Sequence, residues 1–308
     1  LSAFIGIVGM FASFIFMFWQ LGFIVDNGIT QGGGLVLPIQ TENGLDSAVP
    51  VFYVPFMYWI IALFILAVVH EFAHGVISER FKVKIKSSGF AFLGFIVPLM
   101  PAAFVEPDEK QLNQKPWWQK VAVMGAGSTS NFIFGFLFLA VWIFVSAPLI
   151  DNTMELDKIK FGQVMNESGL NGQIEAGKII SFNGEYDTTQ IFKNFGNLSV
   201  NETVTLEIQD DKTNLTQNYT FQTFENKQTK KGMLGISSLD TPLVNKEGYR
   251  WLGSFPTEFE RAIFWIWFLN IAIGIMNLLP IWITDGGQVS STIFKKFYSF
   301  LHNKKITS

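Results

Sequence analysis

The chain has 308 residues, of which 49% are hydrophobic and 15% charged; Phe alone counts 33, and the mean hydropathy is positive. That length would serve two soluble domains, but this composition excludes them and places the chain in a membrane. The net charge of −3 says nothing about nucleic acid, but no basic run of the needed density is present and no nucleic-acid partner is expected; zero cysteines exclude disulfides and thiolate metal sites, so a metal here must be held by His, Asp or Glu.

Uncharged apolar stretches of roughly 2–25, 48–69, 121–150 and 262–284 are each long enough to cross a bilayer. They set a minimum of four crossings, at 1–25, 48–79, 117–150 and 259–285. The first is too long, and too poor in basic residues at its start, for a cleaved signal peptide. Residues 26–47 contain no Lys or Arg, as expected of a loop outside the cell.

Between the second and third crossings lies GFAFLGFIVPLMPAAFV (89–105), uncharged but carrying Gly89, Gly94, Pro98 and Pro101. Proline removes a backbone donor and clashes with the preceding turn, so a membrane-re-entrant hairpin over 87–105 is predicted in place of a spanning helix. The flanking loops agree: Arg80, Lys82, Lys84 and Lys86 precede it, and Lys110, Lys115 and Lys120 follow. Short loops rich in Lys and Arg stay in the cytoplasm, which puts both ends of the segment on one side. Trp117 and Trp118 suit an interfacial anchor.

From 152 to 245 the chain turns polar, with β-leaning alternation in KIISFNGE, TVTLEIQ and NYTFQTF between Gly and Asn turns. Sequons begin at Asn166, Asn197, Asn201, Asn214 and Asn218, all where the topology places the chain outside. Residues 286–308 read as an amphipathic, basic tail on the cytoplasmic face. The expected fold is therefore a polytopic α-helical membrane protein with a membrane-re-entrant β-hairpin segment and an inserted extracytoplasmic, mainly β domain.

The chemistry concentrates in VVHEFAHGV (68–76), at the end of the second crossing. His70 and His74 differ by about 40° around a helix and one turn along it, so their rings can converge on one ion, with Glu71 beside them. Two histidines in a bundle can also be satisfied by ordinary polar partners. In that case Glu71 would be desolvated without a cation, and an ionisable residue in a crossing is costly enough to signal function.

A catalytic zinc site takes three protein ligands, and the remaining histidine, His302, lies among lysines, so the third ligand should be a carboxylate. Glu79 lies about 140° around the helix from His74, and Glu106 and Asp108 belong to a charged loop. Asp285 closes an otherwise uncharged crossing, and a hairpin at 89–105 brings it to the depth of His74 on the cytoplasmic side. Pro280 and the Gly286–Gly287 pair point to a broken helix lining the site. Gly127 and Gly135, spaced for close helix packing, flank Asn131, a candidate polar contact.

At these residues the chain resembles the site-2 protease family of intramembrane zinc metalloproteases, in its PDZ-containing, archaeal type. The resemblance rests on HEFAH (70–74), on Asn277, Pro280, Asp285 and Gly286 as NxxPxxxxDG, and on Gly127 and Asn131 as GxxxN. SGLNGQIEAGKIISFNGE (168–185) is similar to a PDZ pattern, making the inserted domain PDZ-like. Thr284 stands where the family more often has leucine. Many relatives continue into further crossings, which leaves the completeness of this chain open.

The resemblance implies one Zn²⁺ held by His70, His74 and Asp285, with Glu71 as the catalytic acid and base. It implies peptide-bond hydrolysis within single-span transmembrane substrates in the lipid bilayer. It also implies substrate contacts at Asn131, Asn277 and Pro280 and an edge strand offered by the hairpin. Competing expectations are an ion-binding transporter and a non-catalytic PDZ-bearing scaffold.

Overall fold

The computed structural model describes residues 1–26, 35–37, 51–93, 100–227 and 229–306. Helix α1 (Ser2–Asp26) carries no charge before its last residue and leaves Phe11, Phe14, Phe18 and Trp19 exposed. In water each such ring would forgo about 2 kcal/mol of burial free energy, a loss that hydrocarbon surroundings remove. Among the described residues four helices are long and apolar enough to cross a membrane: Ser2–Phe23, Phe56–Arg80, Ala126–Thr153 and Phe255–Leu278.

The short strands β1 (Leu35–Leu37) and β2 (Val51–Tyr53) pair in parallel ahead of helix α2 (Phe56–Arg80). The helix starts later than the expected 48, because Pro55 disfavours helical backbone at the residue before it. At the other end Lys82 adopts a positive φ of 55° and the Val83 N–H donates to the Ser78 carbonyl, closing the helix.

Two antiparallel strands follow, β3 (Ile85–Leu93) and β4 (Met100–Pro107), with Ser88 opposite Val105 and Phe90 opposite Ala103. Gly94 and Pro98, on which the hairpin expectation partly rested, lie outside the described residues. The strands fold back along α2: the Phe90 ring is 5.8 Å from that of Phe64, and Val105 packs where a side chain on Gly75 would start. Asp108 then caps helix α3 (Glu109–Gln114). The Gln111 N–H, joined by that of Lys110, holds its carboxyl below the usual range against a small cost of burial.

The third crossing is built from α4 (Trp117–Met124) and α5 (Ala126–Val141), continued through one π turn (Trp142–Ser146) into α6 (Ala147–Thr153). It breaks at Gly125, where a Cβ would sit 2.8 Å from the Ser2 carbonyl oxygen, so α1 crosses almost in backbone contact. Gly135 gives similar access to Ile271 at 2.6 Å.

Residues Leu149–Pro256 form a compact unit of their own. It contains β5 (Met154–Leu156), β6 (Ile159–Phe161), β7 (Gln163–Val164), β8 (Gly177–Phe182), helix α7 (Thr188–Phe195), β9 (Thr203–Asp210) and β10 (Thr216–Gln222). An antiparallel sheet runs in the order β10-β9-β8-β6. Alternation works as the sequence pattern anticipates: Val204, Leu206 and Ile208 point into the core with Ile179 and Ile191. All five sequon asparagines are exposed.

Helix α8 (Phe255–Leu278) is tied to its neighbours by the Tyr58 hydroxyl, which donates to Glu258, and by Trp142 Nε1–H, which donates to Glu260 at 2.7 Å. It ends seven residues before the expected 285, since Pro280 offers no N–H and biases Leu279 away from helical backbone. After a tight connection, α9 (Asp285–Ile306) begins. Gly286 and Gly287, expected to free the chain from helical geometry, are themselves helical. They are needed because a Cβ on either would overlap the carbonyl of Leu278 or Ile281.

Candidate active site

In its last three turns α2 presents two imidazoles on one face, with His70 Nε2 and His74 Nε2 3.1 Å apart. The first residue of α9 completes the cluster: Asp285 Oδ2 lies 3.2 Å from His70 Nε2 and 3.4 Å from His74 Nε2. Thr284 sets that position. Its Oγ1 accepts from the Gly287 N–H at 3.3 Å as the cap of α9 and lies 2.6 Å from the Leu279 carbonyl oxygen, to which it donates.

These separations can be compared with what zinc requires. Ligand bonds of about 2.05 Å in a tetrahedron give edges of about 3.3 Å, and the three observed edges are 3.1, 3.2 and 3.4 Å. Asp285 Oδ2 is buried and makes no hydrogen bond, as befits an oxygen reserved for a cation. Gly127 of α5 faces both rings, and a Cβ there would overlap the two Nε2 atoms. The residues present therefore fit the metal.

The far side of each ring is also held. His74 Nδ1 donates to the Val123 carbonyl at 2.7 Å, which leaves Nε2 as the lone-pair nitrogen facing Asp285. The amide of Asn131, on α5, lies 3.1 Å from His70 Nδ1. Glu71 projects beside the cluster, and its Oε2 accepts from the Val105 N–H at 3.0 Å. A cavity of about 480 Å³ opens here, lined by the three cluster residues, Glu71, Val105 and Gln288 among others.

The other groups weighed as the third ligand lie outside this cluster. Glu79 is exposed, Glu106 accepts from the Ser87 hydroxyl, Asp108 caps α3, and His302 stacks on Tyr298. Asn277 is half-buried in the last turn of α8, and Pro280 lines an apolar groove with Phe11 and Phe14; neither lines the cavity around Asp285. Asn131 is fully buried. Three contributors were missed: the backbone groups of Val105 and Val123, which no side-chain pattern reveals, and Gln288. Its i+3 spacing from Asp285 was a usable signal.

Residues 58–307 match the model of peptidase family M50. The chain belongs to peptidase family M50. An uncharacterized protein of Methanocaldococcus jannaschii is 28% identical to this M50 member over 297 residues, covering 92% of this chain and 70% of that protein. Membership and the four apolar helices together make this M50 chain a multi-pass integral membrane protein of a protease family. Zinc dependence is general in M50, and His70, His74 and Asp285 lie close enough to bind a metal.

Proposed function

We propose that this M50 chain is a zinc-dependent intramembrane endopeptidase that cleaves peptide bonds within the transmembrane segments of single-span substrates. The observation that carries the reading is the convergence of His70 Nε2, His74 Nε2 and Asp285 Oδ2 at tetrahedral edge lengths beside Glu71. Zinc, when bound there, supplies Lewis-acid activation of water and of the scissile carbonyl. Glu71 takes the proton from the attacking water and returns it to the leaving amine nitrogen. The Val105 N–H aims its carboxylate, and Val123 keeps the lone pair of His74 turned towards the cluster.

A substrate helix must unwind before it reacts, because its carbonyls are otherwise engaged in helical hydrogen bonds. The Val105 N–H is directed at α2 and not at β3, so this edge of β4 is the one that borders the cavity and suits an added substrate strand. Asn277 and Pro280 remain candidate contacts further along the substrate. The return of the hairpin from Arg80 to the level of Phe64, about 24 Å along α2, supports a membrane-re-entrant segment.

Basic residues on both sides of the hairpin support a site towards the cytoplasm and a β-rich unit, read as PDZ-like, outside. A purely ion-binding role would have no use for Glu71 beside the ligands. The Glu71→Gln protein, purified in detergent, should keep its zinc and lose cleavage of a single-span substrate. Undiminished cleavage by that variant would refute the mechanism.

A further inference from the structure

Asn131 was expected to touch substrate, yet it is fully buried, and Gly274 of α8 closes over it, with 3.4 Å between the Asn131 Cβ and the position a Gly274 Cβ would take. It does not line the cavity. Its amide lies instead against the back of His70, 3.1 Å from Nδ1, and the amide oxygen Oδ1 is buried without a hydrogen bond.

Which ring nitrogen of His70 faces Asn131 decides how these groups pair. Nε2 faces Asp285 Oδ2 and His74 Nε2, so an ion held there takes its lone pair and the ring proton resides on Nδ1. An Nδ1–H needs an acceptor, and an amide nitrogen cannot be one. The two ends of a carboxamide are nearly identical in shape, so hydrogen bonding alone decides which end faces the ring. Turning the carbonyl end to His70 gives the Nδ1–H its acceptor and gives the orphaned oxygen its donor in one step.

We propose that Asn131 is a positioning residue for the metal centre: its Oδ1 accepts from His70 Nδ1–H, fixing the tautomer and ring plane in which Nε2 binds the ion. The inference rests on the proposed zinc site. It pairs the two histidines by one principle, His74 being held by the Val123 carbonyl and His70 by a side-chain carbonyl. It also gives α5 a double part, with Gly127 making room for the rings and Asn131, one turn on, orienting one of them.

The test measures zinc affinity of the full chain in detergent by competition with a chromophoric chelator, together with the visible spectrum of the cobalt-substituted protein. Asn131→Leu keeps the volume and removes the acceptor; it should bind zinc about 10- to 100-fold more weakly and shift the cobalt bands. Asn131→Asp keeps an acceptor and should bind zinc at least as tightly as the wild type. Wild-type affinity in Asn131→Leu, with only KM raised, would make Asn131 a substrate contact and overturn the inference. Loss of zinc by a monodisperse Asn131→Asp protein would overturn it too, and does not depend on the leucine variant folding. A wild-type protein that takes up no zinc would defeat the hydrolase reading along with it, whereas failure at Asn131 alone leaves that reading standing.

Discussion

Glu71 Oε2 accepts the backbone N–H of Val105 at 3.0 Å, joining the helix that carries both imidazoles to the returning strand of the hairpin. The contact crosses from α2 to the edge of β4 that faces away from β3. The candidate proton carrier is therefore aimed by main chain, and the segment that aims it also walls the cavity where substrate would lie.

Replacing Val105 by proline removes this donor and no bond of the β3–β4 ladder, since the N–H points out of it. A hydrogen bond to a charged group contributes about 1.5–3 kcal/mol, so kcat should fall about 10- to 100-fold. Zinc content should be unchanged. The measurement is single-turnover cleavage alongside metal analysis; loss of zinc would mean that the substitution acts on the cluster and not on Glu71.

Gly127→Ala should abolish the centre, because the added methyl overlaps both Nε2 atoms. Alanine is otherwise favoured over glycine within a helix by about 1 kcal/mol, so α5 itself should persist. Gly22→Ala serves as control: a Cβ there meets nothing within 4 Å, and full activity is expected. Circular dichroism with zinc analysis separates the outcomes: native helicity without zinc is expected for Gly127→Ala only.

How much of this was readable beforehand follows from which groups are written in side chains. His70 and His74 stood out because a helix repeats nearly every fourth residue, and Asp285 because it directly follows the uncharged run 262–284. Proline and glycine marked 89–105 as non-helical, and strands are found over its described part. The end of α8 at Leu278 was misplaced because hydropathy does not change at Pro280, and a proline within a crossing can kink a helix or stop it. Val105 and Val123 were invisible, since every residue carries the same N–H and C=O and only the fold says which ones meet Glu71 and His74.

Thr284 looked like a departure from the family pattern, and its hydroxyl is what seats Asp285. It caps α9 through the Gly287 N–H and holds the connection through the Leu279 carbonyl. Thr284→Ala should cost about 1 kcal/mol of stability and, by loosening the first turn of α9, weaken zinc binding. Thr284→Ser should restore both. Leucine at this position lacks the cap, so Thr284→Leu measures whether this chain relies on it; thermal unfolding in detergent provides the comparison.

Metal removal gives a further prediction, because the three residues close enough to bind a metal come from elements far apart in sequence: α2 carries two and the start of α9 the third. An ion bound only in the folded state stabilises it by RT ln(1 + [L]/Kd), about 4 kcal/mol at a free concentration 1,000 times Kd. Phenanthroline should therefore lower the unfolding temperature of the wild type, and added zinc should restore it. Asp285→Asn removes the anionic ligand while keeping the size of the side chain, so its unfolding temperature should begin near that of the chelated wild type and respond to neither treatment. Equal chelator sensitivity in Asp285→Asn and wild type would show that the stabilising ion sits elsewhere, and would separate Asp285 from the two imidazoles it faces.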